Sequence, residues 1–457
     1  MDNGGPITVV GASGHEISVT VNGSQAYSLA QAYQSAIAAA GSSGNLFTAI
    51  GDGTAIPAAT PGAVNQYVGT VGGFYSLPTG YNYFLNETAA PIFLDASAAT
   101  TGDVLNTLVG TGGTTFVSGQ ESGTFIAGGG NNLFLGSATG TGTYSIATSD
   151  GNDSIFAGAG ATSIYGGTGN NLLNLGTGSD TVVSEGTDRI VASSGNATIS
   201  LSGTSSTIYG GAGNLIVDDK AGTNTSLAGG TGTTSIVGGT NSFYALNGVS
   251  TVFAGASDTI NAAANATVYG STGTSLAGIG GAALTFIGGV GSATVNSGSG
   301  PATVFGANGS DITYSGHGVV IAGSGNATLN GSGSAQAFVG FVSNQSTSAG
   351  ASVIGGSGDD TLVAGIGVQT FTGGTGANQF IIAANGTASA ATITISDFGS
   401  SAGNMIQLYG YGANEVAKTL STAVVSGANT TITLADKSTV TFDNVTNLKS
   451  TSFIGDA

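Results

Sequence analysis

Large apolar residues stand singly in this chain, set among Gly, Thr, Ser, Asn and Ala, and over long stretches they recur every nine residues. Counted from Thr148, the eighth positions are Ile155, Ile164, Leu173 and Val182. Gly151, Gly158, Gly160, Gly167, Gly169, Gly176 and Gly178 fall at second and fourth positions. Counted from Gly355, the eighth positions are Leu362, Phe371 and Phe380, with Gly356, Gly358, Gly365, Gly367, Gly374 and Gly376 in the turns. A weaker run gives Phe116, Phe125 and Phe134. Such a period reads as a turn of about six residues followed by a strand of about three, with the eighth side chain pointing inward. Paired and alternating glycines supply the positive φ that the turns require. The spacing predicts a parallel β-solenoid over residues 106–380, each strand paired with the one eighteen residues on, or about 15 two-strand coils. The register slips near Gly210 and Gly211, so wider coils remain open.

The flanking text differs. Residues 1–105 hold five of the six prolines and one helical pattern, from about Tyr27 to Ala40, where Leu29, Tyr33, Ala36, Ile37 and Ala40 share a face and Gly41 follows as a stop. Ile17, Val19 and Val21 alternate as a strand does. This region is expected to be a small mixed α+β cap or docking domain. Residues 381–457 carry alternating runs and are expected to form a β-rich C-terminal domain. The predicted fold class is thus mostly β, a parallel solenoid between a mixed α/β N-terminal domain and a β-rich C-terminal one.

Composition sharpens this picture. The chain has 83 glycines in 457 residues, more than twice the usual share of about 7%, yet 40% of its residues are apolar, enough for a core. Charged residues make up only 6%, which argues against disorder. There are 23 acidic residues against five bases: Arg189, Lys220, Lys418, Lys437 and Lys449. So few bases cannot build a surface for nucleic acid. No apolar run reaches the length of about 18 residues that spans a bilayer, so no membrane insertion is expected. The absence of any basic residue before Arg189 argues against a cleavable N-terminal signal. With no cysteine, disulfides and thiolate metal sites are excluded.

Gly355-Gly356-Ser357-Gly358-Asp359-Asp360-Thr361-Leu362-Val363 resembles the nonapeptide G-G-x-G-x-D-x-U-x of RTX proteins, the calcium-dependent β-roll family exported by bacterial type I secretion. Thr392 to Phe398, Met405 to Leu408 and Thr431 to Phe442 look like the strand, Asp-Phe, turn, strand and hairpin of the same family's C-terminal region. The resemblance covers about residues 106–457, most strongly 355–457, and implies an uncleaved C-terminal export signal, the type I secretion machinery as a partner, and folding outside the cell in millimolar calcium. It also implies where calcium would bind: sixth-position carboxylates and turn carbonyls of coils stacked eighteen residues apart. On that pattern Asp153 stacks on Asn171 and Asp360 on Asn378, with Asp180 and Asp311 as further candidates. Elsewhere the family's Asp has mostly become Thr, Ser, Ala or Asn, which would stack as uncharged hydrogen-bonding ladders.

Catalytic groups are sparse. His15 and His317 are the only histidines, and His317 reads as a solvated turn residue. Arg189 beside Asp188 reads as a surface pair, as do Asp218 and Asp219 beside Lys220. No Gly-x-Ser-x-Gly elbow with triad partners is evident and the Gly-rich stretches carry no phosphate-loop lysine, so no enzyme is expected. The aromatic residues Phe74, Tyr75, Tyr81, Tyr83 and Phe84 form either the core of the N-terminal domain or a surface for docking a subunit or stacking on a glycan. Asn196-Ala197-Thr198, Asn265-Ala266-Thr267 and Asn326-Ala327-Thr328 read as text that opens strands of the repeat. The expectation is a secreted structural protein that assembles with itself as a surface layer, filament or biofilm matrix, with a cell-surface or matrix polysaccharide as a second partner. An adhesin binding through residues 1–105 is the alternative.

Overall fold

The computed structural model describes residues 5–10, 16–21, 24–86, 88–289, 291–307, 311–323, 325–331, 338–342, 350–384 and 390–454. The chain divides into two compact units, Met1–Gly239 and Thr240–Ala457. Strands take up 47% of it against 7% in helices, in a parallel β-solenoid of about 17 turns, which is the predicted fold class.

In the first unit the nine-residue period resolves into two walls. Phe116, Phe134, Ile155, Leu173, Ile190 and Ile208 are successive register partners on one wall. Phe125, Ile146, Ile164, Val182, Ile199 and Val217 are partners on the other. All are at most 1% exposed. Alternate nonads therefore face each other across the coil, and each strand pairs with the second strand along the chain. Burial of each such side chain stabilises the coil by roughly 1.5–3 kcal/mol. Turn sterics demand the glycines: Gly167 has φ +62°, and a Cβ there would lie 2.0 Å from the Ser149 carbonyl oxygen of the preceding coil.

Strand pairing draws the regions differently from the sequence. Parallel stacking already begins at Leu46–Gly51, which pairs with Val64–Gly69 and then Tyr83–Asn86, well inside residues 1–105. Tyr67 and Phe84 stack there with ring centroids 6.2 Å apart, filling the same inner wall. The nine-residue text is missing because the turns are longer and uneven, so the coil-to-coil step changes from Gln66–Tyr83 to Tyr83–Asn106. In the second unit, Thr392–Ile395 and Met405–Tyr409 stack on the coil as further strands, and Thr439–Phe442 pairs in parallel with Thr392–Ile395. A hairpin follows from antiparallel pairing of Thr439–Phe442 with Asn429–Thr433.

Helix α1, Ser24–Ser42, is longer than its apolar pattern suggested. Its buried face, Ala26, Ala30, Tyr33 and Ile37, lies on Val68, Leu85, Leu108, Ile126 and Ala147. Those five residues are register partners on consecutive strands and point away from the coil interior. The helix thus covers an outward apolar rank of the first unit, and the Tyr33 hydroxyl donates to the Phe84 carbonyl at 3.1 Å.

Candidate functional site

Just before several strands, where the chain turns into the coil, a buried backbone N–H is met by a side chain of the next coil. Sixth-position side chains fill this role. The Asn132 N–H donates to Asp153 Oδ1 at 2.7 Å, the Asp153 N–H to Asn171 Oδ1 at 2.8 Å, and the Asn171 N–H to Asp188 Oδ1 at 3.0 Å. The Thr114 N–H donates to Asn132 Oδ1 and the Asp188 N–H to Ser206 Oγ, extending the file at both ends. Every member is at most 3% exposed. On the other side of the same unit, the Thr162 N–H donates to Asp180 Oδ1 at 2.8 Å. The second unit repeats the device: Ser242 to Asp258, Asp360 to Asn378 at 3.0 Å, and Asn378 to Asn404 at 3.0 Å. Each such bond contributes about 1 kcal/mol, and an unmet buried N–H costs about 1–3 kcal/mol.

Where the repeat keeps its first glycine, that glycine makes room for the sixth side chain. A Cβ at Gly355 would stand 2.4 Å from Asp360 Oδ2, and one at Gly373 2.7 Å from Asn378 Nδ2. At these two positions a glycine five residues earlier leaves room for the sixth side chain to fold beneath the turn, whereas Asp153 and Asp188 fold in behind Thr148 and Val183. A second file runs through exposed turns in the opposite sense. Asn214 donates its N–H to Asn196 Oδ1, Ala283 to Asn265 Oδ1, and Gly350 to Asn326 Oδ1, at 2.9–3.0 Å. The three Asn-Ala-Thr segments therefore do open strands. Asp311, exposed, belongs to this outer file and accepts the Asn326 N–H at 2.9 Å.

The inner file has unusual electrostatics. Burial pushes the Asp153, Asp180 and Asp188 carboxyls above the usual carboxylate range, more than their hydrogen bonds pull them down, and the charge of Asp153 pushes Asp188 up further. Asp153 Oδ2 and Asp188 Oδ2 are buried without a hydrogen-bond partner, on coils flanking Asn171. These two oxygens are of the kind a hard cation takes, and a cation would relieve the same desolvation that raises both carboxyls. Among the described residues no cluster of three His, Cys, Asp or Glu side chains exists, so turn carbonyls and hydroxyls would have to supply the remaining ligands.

Several residues sit elsewhere than their sequence context suggests. Asp188 is turned inward, while the Arg189 guanidinium lies over the Tyr209 ring, 5.1 Å from its centroid. Their adjacency made a surface pair the natural reading, and the step of seventeen residues from Asn171 hid Asp188 from a nine-residue count. His317 lies half-buried at a bend within the strand Ile312–Ala322, its N–H donating to Ser297 Oγ at 3.2 Å, and is not a solvated turn residue. His15 lies outside the described residues. Asp219 is buried and accepts the Thr225 hydroxyl at 2.7 Å, so it is no surface partner of Lys220.

Of the aromatic five, Tyr75, Tyr81 and Phe84 are at most 3% exposed and build the core. The Tyr75 hydroxyl donates to the Val71 carbonyl and Tyr81 to that of Pro57. Tyr83 packs edge-on against Tyr33 of α1. Phe74 alone is well exposed, stacked on Phe93 at 5.4 Å beside an open cleft of about 580 Å³ lined by Asp52, Thr54, Ile56 and Ser76. The period also gave no signal for Glu121, whose buried carboxyl accepts the Tyr144 hydroxyl beside a polar cavity of about 10 Å³, room for a single water. No family model, curated protein or solved structure matches this chain.

Proposed function

We propose that this chain is a secreted bacterial structural protein of the RTX type, exported by a type I system and self-assembling into a surface layer, extracellular filament or biofilm matrix. The observation that carries the reading is where the chain places its polar chemistry. Buried acids and amides are engaged with backbone N–H groups inside the coil, and the outward faces are left as repeating ranks of Thr, Ser, Asn and apolar side chains with few charges. Such faces meet without strong repulsion, and contacts between unlike ends do not close, so they propagate. Calcium takes a stabilising part, at Asp153 with Asp188 and at Asp360 with Asn378. Electron microscopy of purified protein with and without millimolar calcium tests this. Filaments or sheets are expected, and monodisperse particles under both conditions overturn it.

The second reading, an adhesin that binds a glycan, is favoured by one feature, the exposed Phe74–Phe93 stack beside its polar cleft. A ring platform next to hydrogen-bonding groups suits a sugar face. Glycan-array binding lost in Phe74→Ala would support it.

A further inference from the structure

The second unit carries an outward apolar rank comparable to the one that α1 covers in the first. Phe253, Tyr269, Ile287, Phe305 and Ile321 are register partners on five consecutive strands of one wall. Phe253 is 47% exposed, Phe305 42%, and Tyr269 and Ile287 nearly as much. Phe253 and Tyr269 stack at 4.6 Å with their planes 5° apart, so the rank shows ring edges at the strand spacing. Two positions before each of the first four stands a threonine: Thr251, Thr267, Thr285 and Thr303. The same wall runs on through the strand Phe338–Val342 to Val363 and Ile381, eight strands in all. None of these residues is charged, in a chain with net charge −18.

We propose that this stripe is a lateral interface, and that what covers it is the same stripe of a second copy. The inference rests on the assembly reading above and names the face it uses. Two features of the stripe select the partner. A rank repeating every ~4.8 Å is matched along its whole length only by a surface with the same repeat, which a second copy supplies. An acid-rich partner surface would set carboxylates against those of this chain, whereas two uncharged stripes bring none together. Eight strands at that spacing make a stripe roughly 30 Å long and 10 Å wide. This is a few hundred Å² per copy, the size of apolar patch that marks an interaction site, but small for a stable isolated dimer. The contact is therefore weak between two free molecules and cumulative in an array.

The absence of native cysteine allows a direct test. Under mild oxidation, full-length Ile287→Cys should cross-link into dimers and Thr294→Cys, on the opposite wall, should not. The triple variant Phe253→Ser/Tyr269→Ser/Phe305→Ser, checked for native circular dichroism, should need about tenfold higher concentration to associate in sedimentation velocity. If the wild-type chain associates but Ile287→Cys stays monomeric, the stripe is not the interface and the assembly reading survives. A wild-type chain monomeric at all concentrations overturns both. Flotation of the wild type, but not the triple variant, with neutral phosphatidylcholine vesicles would assign the stripe to lipid and overturn the proposal.

Discussion

Both units raise an apolar rank on the outside of the coil, but only the first covers its own. Val68, Leu85, Leu108, Ile126 and Ala147 are fully buried because α1 lies across them. Phe253, Tyr269, Ile287 and Phe305 have no such cover and remain 37–47% exposed. A strand of three or four residues pointing its middle side chain inward must send its flanking ones outward. The repeat thus determines that outward ranks exist, and segments outside the repeat determine which are covered. The opposite wall of the second unit shows a third outcome: Thr259, Ser275, Thr294, Thr313 and Thr328 form a hydroxyl rank that water can cover.

The sharpest way to break the comparison is to lift the helix. Ala30 is fully buried under α1, so Ala30→Asp sets an unpaired charge against the Leu85–Ile126 rank. A loss of about 3–5 kcal/mol is expected, confined to the melting of the first unit, with concentration-dependent aggregation as its covered rank is exposed. Unchanged melting would mean the helix is no structural cover.

Next comes the inner file. Asn171→Ala removes the acceptor of the Asp153 N–H and the donor to Asp188 Oδ1, and should cost about 2–3 kcal/mol in denaturant unfolding. Asn214→Ala in the exposed outer file should cost below about 1 kcal/mol, because water replaces its bonds. Equal losses would contradict the difference in burial.

A pH profile separates the units further. Burial raises the Asp153, Asp180 and Asp188 carboxyls above the ordinary aspartate value of about 3.9, so the folded first unit holds their protons more tightly than the unfolded chain does. Their stabilising contribution is full below that value and is lost as pH rises through the raised folded-state values. The melting temperature of the first unit should therefore fall between mildly acidic and neutral pH without calcium. Calcium should blunt the fall if it occupies the file. A temperature that climbs with pH over this range would reverse the sign of the argument. Smallest of all, Thr294→Ala on the hydroxyl rank should shift stability by no more than about 0.5 kcal/mol, read by thermal melting.

The coil interior was legible in the sequence wherever turns kept one length. Ile155, Ile164, Leu173 and Val182 alternate between walls as a nine-residue period requires. Stacking from Leu46 to Asn86 was not legible, because uneven turns erase the period while the inner wall of Tyr67 and Phe84 persists. Asp153 and Asn171, and likewise Asp360 and Asn378, could be paired by counting eighteen residues, but the direction of their side chains could not. Spacing locates a carboxylate on a coil. Whether it faces a neighbouring amide or solvent depends on the turn packing around it, which differs between Asp153, behind Thr148, and Asp360, behind Gly355.

The two hydrogen-bond files give the coil a direction. In the inner file each amide is met by the coil that follows it, as Asp153 is by Asn171, and in the outer file by the coil that precedes it, as Asn214 is by Asn196. A stack severed at any level would therefore show two unlike surfaces, one with hungry inner amides and orphaned outer oxygens, the other with the reverse. Donor on one surface faces acceptor on the other. A broken stack is keyed to its missing part, and one lengthening by the addition of coils has a plus end and a minus end, as a polar fibre does.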